Sequence, residues 1–465
     1  MTAIPPTPRT SPVEDSTGSG LDQAPPAPTF WQALAFWLKL GFISFGGPAG
    51  QIAVMHTELV ERRRWISERR FLHALNYCMV LPGPEAQQLA TYIGWLMHRS
   101  WGGIVAGALF VLPSLAILIL LSWIYIAFGQ QPLVAGLFFG IKPAVTAIVV
   151  QAAHRIGSRA LKNRWLWLIA GASLAANTLL GIGFPLIVAA AALIGLAGAR
   201  LAPAVFSAGG AGHGGAALKT YGAAVIDDHT PSPPHARFSV PRLAQVLVIG
   251  GLLWLLPMAA LRLGLGEGNA LTQMAWFFTK AALLTFGGAY AVLPYVYQGA
   301  VLQQGWLSAP QMMDGLALGE TTPGPLIMVV AFVGYVGAYQ HPLAAGFAPD
   351  QAALAGAVAA ALVTWFTFLP SFIFILAGGP LVEATHQDLK FTAPLTAITA
   401  AVVGVIISLA LFFAYHLLWP TGFGGRFELV SAAIALAAAI ALLRFKRGVM
   451  EVIAVAALLG LALRY

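Results

Sequence analysis

Phe45-Gly46-Gly47, Trp65-Ile66-Ser67 and Pro82-Gly83-Pro84, within Phe36–Pro84, recur as Phe286-Gly287-Gly288, Trp306-Leu307-Ser308 and Pro323-Gly324-Pro325, within Phe277–Pro325, at a constant offset of 241 residues. Lys39 answers to Lys280 in the same register. The repeat lies in apolar segments that Gly and Pro interrupt at matched places, which is the pattern of a transporter built from two internal repeats with broken helices.

The surrounding composition agrees. Hydrophobic residues make up 58% of the 465-residue chain and charged residues 9%, against about 25% charged in a soluble domain. Mean hydropathy is +0.79. At about 20 residues per crossing, the chain has room for roughly a dozen spans. The net charge of +8 is spread over short loops, where Lys and Arg set orientation, so it implies no nucleic-acid partner. The single Cys78 excludes an internal disulfide and a multi-cysteine metal site, and no cofactor is expected. Residues 1–28 read as a disordered polar tail, neither signal nor transit peptide.

Apolar segments long enough to cross run at 102–128, 132–153, 165–181, 183–199, 242–263, 351–378, 391–418, 428–443 and 449–463. The repeated stretches differ. Phe71 to Pro82 and Glu85 to His98 each give only about 20 Å of helix, short of a hydrocarbon core of about 30 Å. The Pro-Gly-Pro between them breaks the hydrogen-bond ladder, so two half-helices meeting within the membrane are expected. Arg62-Arg63-Arg64, Arg69-Arg70 and His98-Arg99 put both flanks in the cytoplasm, as does the run His154, Arg155, Arg159, Lys162, Arg164 further on. The matching loop of the second copy, Leu302-Gln303-Gln304-Gly305-Trp306, carries no arginine and reads as periplasmic. Lys390 and Arg444–Arg447 fall back inside.

The expected fold is therefore an all-α polytopic membrane protein with two inverted-topology repeats, whose broken or re-entrant helices meet near the bilayer midplane. Its parts are the tail at 1–28, an N-terminal repeat at 29–200, a Gly/Ala/Pro-rich cytoplasmic linker at 201–241, a connecting helix at 242–270 and a C-terminal repeat at 271–465. The linker carries His213, His229 and His235; its composition favours a flexible spacer over a metal site. A multi-pass protein of a bacterial cytoplasmic membrane is the simplest destination, and a homodimer is compatible with it.

A helix that starts inside a membrane presents unpaired N–H groups and about half a positive charge, and such ends bind anions. Gly46, Gly47, Gly83, Pro84, Gly287, Gly288, Gly324 and Pro325 are the candidate broken ends; helix-packing kinks are the alternative. Lys39 and Lys280 are candidate anion-facing cations, with snorkelling to the interface as the alternative. Gln87, Gln88, Thr321 and Thr322 supply neutral polar groups nearby. Glu85 reads as a helix cap or a proton relay, and Glu320 as a proton carrier.

Gly41–Pro48, Leu81–Gln88, Leu318–Met328 and Phe391–Leu395 together resemble the chromate ion transporter family, in its long-chain form with two tandem family domains. The resemblance implies efflux of chromate from the bacterial cytoplasm, with sulfate as the related tetrahedral dianion. A sulfate or other oxyanion carrier of the same architecture is the near alternative. An intramembrane enzyme acting on lipid or peptide is the distant one, since the chain has no His-Glu-x-x-His and no Gly-x-Ser-x-Gly.

Overall fold

A computed structural model describes residues 23–206, 221–384 and 392–464. The first 22 residues, His213 and Lys390 lie outside that set, as does Phe391 of the family-like stretch. The described residues are helical almost throughout: α1 (Phe30–Ile43), α2 (Gly47–His56), α3 (Glu68–Val80), α4 (Glu85–Phe128), α5 (Pro132–Ala160), α6 (Arg164–Thr178), α7 (Phe184–Leu201) and the single turn α8 (Pro203–Phe206) come first. After the linker follow α9 (Val240–Gly264), α10 (Ala270–Leu283), α11 (Ala289–Tyr297), α12 (Ala309–Thr321), α13 (Val329–Gln340), α14 (Ala352–Ala384), α15 (Thr392–Leu418), α16 (Leu429–Leu443) and α17 (Val449–Arg464).

The 241-residue offset carries over into backbone conformation. A π turn at Thr57–Arg62 is matched at Gln298–Gln303, and α3 is matched by α12 residue for residue. The Trp-x-Ser motifs explain themselves here. Trp65 and Trp306 are buried, and their N–H groups bond to the equivalent carbonyls of Leu59 and Ala300 at 2.8 Å. Ser67 and Ser308 are the N-caps of α3 and α12, each accepting from the backbone N–H three residues on.

Both helices then stop short of Pro-Gly-Pro, at Val80 and Thr321, so neither runs through Gly83 or Gly324. Beyond the break, α4 has a short first arm to His98 and Arg99, whose non-helical backbone (Arg99 φ 57°) folds it back, and a long second arm to Phe128. In the second copy α13 plays the short arm and α14 the long one, separated by a wider turn at residues 341–351. That wider turn hides a further repeat, Leu112-Pro113-Ser114 in α4 and Leu369-Pro370-Ser371 in α14.

The two halves are interlocked by exchange. α5 packs against α16 and α17 of the second half, while α15 packs against α6 and α7 of the first. Gly140 of α5 lies against Ala456 and Gly460, and Gly404 of α15 against Ala170 and Leu174. α3 and α12 are held at opposite ends of α4. Arg70 of α3 pairs with Glu383 at 3.3 Å, and Glu383 also accepts from the hydroxyl of Tyr92 near the fold between the arms. Asp314 of α12 pairs with Lys142 at 3.3 Å and accepts from Tyr125 at 2.8 Å, near the far end of the long arm. The packing is also unequal: α11 and α12 lie against α15, α7, α5 and α17, whereas α2 and α3 pack chiefly on α4 and the π turn.

Two expectations change. Of the nine segments expected to cross, α6, α16 and α17 are only 15, 15 and 16 residues long. Among the described residues six helices are long and apolar enough to span a membrane, at Glu85–Phe128, Pro132–Ala160, Phe184–Leu201, Val240–Gly264, Pro349–Glu383 and Ala393–Leu418. Turns at the ends of the shorter three cut them to about 23 Å of helix.

The second half of the linker is a folded strap rather than a loose spacer. Val225 and Ile226 donate to the carbonyls of Arg64 and Trp65, and Ser67 donates back to Ile226 at 3.0 Å. Ile226 and Ala236 are buried in the first copy's core beside Leu59, Phe71 and Trp95. Ser232 binds Glu383 at 2.8 Å and His235 meets the carbonyl of Trp95 at 3.0 Å. His229 is exposed.

Candidate functional site

The four broken ends come together in two crossed pairs. The N–H of Gly83 donates to the carbonyl of Thr285 at 2.7 Å, and the N–H of its equivalent, Gly324, donates to the carbonyl of Ser44 at 2.8 Å. Ser44 and Thr285 are themselves equivalent, fully buried, and bond their hydroxyls back to the carbonyls of Leu40 and Ala281. The reciprocity extends to the next layer, where Gly83 faces Ser371 and Gly324 faces Ser114. Contacts in which residue i of one copy meets j of the other, and j meets i, are the mark of a two-fold relation.

Glycine is required at both crossings. A Cβ on Gly83 would stand 2.3 Å from Ser371 Oγ and 2.5 Å from Gln88 Nε2, and one on Gly324 would stand 2.8 Å from Ser114 Cβ. The φ angles, 135° and 94°, are also ones that side-chain-bearing residues rarely adopt. Gly46, Gly47, Gly287 and Gly288 have positive φ as well, and they begin α2 and α11.

None of the helices that start at these ends has a side-chain N-cap: α2 after Gly46, α4 after Pro84, α11 after Gly288 and the 3₁₀ turn after Pro325 that leads into α13. Helix starts without a side-chain cap carry partial positive charge. Neutral polar groups line the crossing. Gln51 donates to the carbonyl of Gly324 at 2.5 Å, Gln88 to that of Pro82 at 2.8 Å, and Gln87 to Thr91 Oγ1 at 3.0 Å. The Oε1 atoms of all three glutamines are buried with no hydrogen-bond partner among the described residues. Thr322 is buried but turns its hydroxyl back onto the Gly319 carbonyl.

The ionisable residues sort differently from the sequence expectation. Glu85, in the first turn of α4, lies across from Gly288, whose added Cβ would be 3.7 Å from Glu85 Oε1. Glu320 is buried at the end of α12 and accepts a short hydrogen bond from the hydroxyl of Tyr290, the second residue of α11. Lys39 and Lys280 are not brought to this place. Both are exposed on the outer sides of α1 and α10, and Lys280 stands 5.8 Å from the ring centre of Trp276. An ammonium beside an indole on an outer face has the geometry of a side chain reaching for the interface.

An arginine of α5 does approach the crossing. Arg155, half-buried, lies 5.8 Å from the ring centre of Tyr290, whose hydroxyl donates to Glu320. Arg159, one turn on, is exposed. Their i, i+4 spacing on one face was visible in sequence, but their loop-like charge pattern directed attention to topology instead. Tyr290, Gln51 and the Ser114/Ser371 pair also escaped the sequence reading. Among the described residues no group of three or more His, Cys, Asp or Glu could hold a metal ion.

The family model described as chromate transporter matches residues 31–196 and 272–461, once per repeat. A chromate transport protein of Pseudomonas aeruginosa is 34% identical over 394 residues, covering 84% of this chain and 82% of that one. One of Cupriavidus metallidurans is 28% identical over 449 residues, covering 96% of each. An uncharacterized transporter of Bacillus subtilis aligns 83% of its own length to 31% of this chain at 30% identity, so that relative is about one repeat long. No solved structure matches the chain.

Proposed function

As the chain belongs to the chromate transporter family, we propose that it carries chromate out of the cytoplasm by alternating access, binding the oxyanion where the broken helix ends of the two repeats cross. The crossed pair of backbone bonds, Gly83 to Thr285 and Gly324 to Ser44, carries this reading. It ties each copy's Pro-Gly-Pro to the other copy's Phe-Gly-Gly, so bare helix ends from both repeats serve one ligand. The two repeats are inverted with respect to the membrane. The opposite placement of α3 and α12 along α4 supports that, as do the arginines of the first copy's loop and their absence from the second's.

The unequal packing supports alternation. α12 is held against α5 through Asp314 and Lys142 on the periplasmic side, whereas its equivalent α3 is held by the Arg70–Glu383 pair and the docked strap on the cytoplasmic side. Reversal would exchange the roles of the two repeats, as in other inverted-repeat carriers. Direction follows from charge. With the inside negative, expelling a dianion gains about 4.6 kcal/mol per 100 mV, twice the value for one charge. Glu85 and Glu320 take protons during the cycle in this reading, and the host membrane is the bacterial inner membrane.

Everted membrane vesicles test this. Vesicles containing the protein should accumulate chromate when an interior-positive potential is applied, and sulfate should compete if tetrahedral dianions share the site. Accumulation no greater than in vesicles lacking the protein would refute chromate export.

A further inference from the structure

We propose that residues 221–236 act as a clasp on the cytoplasmic side of the carrier, holding α3 against α14 and the short arm of α4, and that each transport cycle has to open it. This rests on the transport reading above and names the contact that gates it. The two ends of the strap grip different elements.

The first grip is on α3. Val225 and Ile226 pair with the turn before that helix through three backbone bonds, of 2.9, 3.1 and 3.0 Å. The Ser67 hydroxyl donates to Asp228 Oδ1 at 2.5 Å, and Arg70 donates to the carbonyl of Thr230. This stretch holds its own shape, since the Asp227 carboxylate accepts from the N–H groups of Ala224 and Asp228, and Thr230 Oγ1 accepts from that of Asp227. The second grip is on the other helices, where Ser232 donates to Glu383 at 2.8 Å and His235 meets the Trp95 carbonyl at 3.0 Å. Pro231, Pro233 and Pro234 stiffen the joint between the two grips.

Glu383 is where the grips meet. It is buried, and it takes Arg70 of α3, Tyr92 of α4 and Ser232 of the strap. A carrier that exchanges the roles of its repeats has to part α3 from α4 and α14. The second grip continues into α9, which packs on α14, so it stays behind and the first grip lets go. Among the described residues the equivalent turn of the second copy, 305–308, has no such partner segment. The clasp therefore acts on one side of the cycle only.

Locking and releasing the clasp should have opposite signs, which a merely structural strap would not give. Everted vesicles carrying the full-length protein present the cytoplasmic face to added reagents, and initial chromate uptake would be read. Joining Ser67→Cys to Asp228→Cys in one chain with a short bis-methanethiosulfonate linker should slow uptake about ten-fold or more, with recovery on reduction. Either substitution alone, treated alike, should change the rate little. Ile226→Asp, which puts a carboxylate at a buried position, should undo the first grip and raise the rate several-fold. If Ile226→Asp fails to fold, Val225→Pro, which removes one backbone donor of that grip, takes its place.

A linked protein that carries chromate as fast as it does after reduction, or a folded release variant no faster than the parent, would overturn the clasp and leave transport standing. Parent vesicles that take up no chromate would overturn the transport reading with it.

Discussion

Replacing Gly83 by Ala tests the crossing at its tightest point. The added methyl would meet Ser371 Oγ at 2.3 Å and Gln88 Nε2 at 2.5 Å, and the residue would keep a φ of 135°. Overpacking costs about 1–3 kcal/mol, a disfavoured backbone region about 1–3 kcal/mol, and a shift that breaks the buried bond to Thr285 about 1–3 kcal/mol. These overlap, because one shift can relieve the clash by giving up the bond, so a net loss of about 3–5 kcal/mol is expected. Gly324→Ala should lose slightly less, since its nearest neighbour is at 2.8 Å and its φ is 94°. Gly171→Ala is the control: nothing lies within 4 Å of its added methyl, and alanine in a helix interior is favoured by about 0.5–1 kcal/mol. Thermal unfolding of the purified proteins in one detergent, alongside vesicle transport, reads all three. The reasoning fails if Gly83→Ala melts with Gly171→Ala and transports normally.

Lys142→Met leaves the buried Asp314 with only Tyr125, and unfolding should show a loss of about 2–4 kcal/mol; Lys142→Met with Asp314→Leu should be less damaged than Lys142→Met alone. Ser67→Ala and Ser308→Ala remove equivalent N-caps and should each cost about 1 kcal/mol in the same assay. Burial beside Trp95 holds the His235 imidazole below its ordinary range, helped by Arg99 and Arg242. The neutral form is therefore favoured in the folded strap, whose stability is full above the unfolded value of about 6.5 and falls as pH drops through the lowered one. Hydrogen-exchange protection factors over residues 221–236, taken relative to the intrinsic exchange rate at each pH, should fall on acidification in the parent and lose most of that pH dependence in His235→Gln.

The helix breaks at Pro82-Gly83-Pro84 and Pro323-Gly324-Pro325 were legible in sequence, since Pro and Gly act locally and matched recurrence separates design from accident. The crossing of the ends was not, because it depends on Thr285 and Ser44 carbonyls that sequence reading had no reason to single out. Arg155 and Arg159 were counted as orientation signals; which face of α5 they occupy is decided by α16 and α17, far along the chain. The repeated Leu-Pro-Ser was masked by the longer turn before α14. In the strap, Val225-Ile226 was the readable signal, an apolar pair able to dock beside the π turn, but the surrounding Gly, Ala and Pro outweighed it.

The equivalent residues Arg62 and Gln303, both exposed at the ends of the two π turns, offer the most direct test of inversion. With the native Cys78 buried, a single cysteine at each would be challenged with a membrane-impermeant thiol reagent on intact spheroplasts. Opposed repeats predict that Gln303→Cys is labelled from outside and Arg62→Cys only after permeabilisation. Labelling of both from the same side would contradict the inverted orientation of the two repeats.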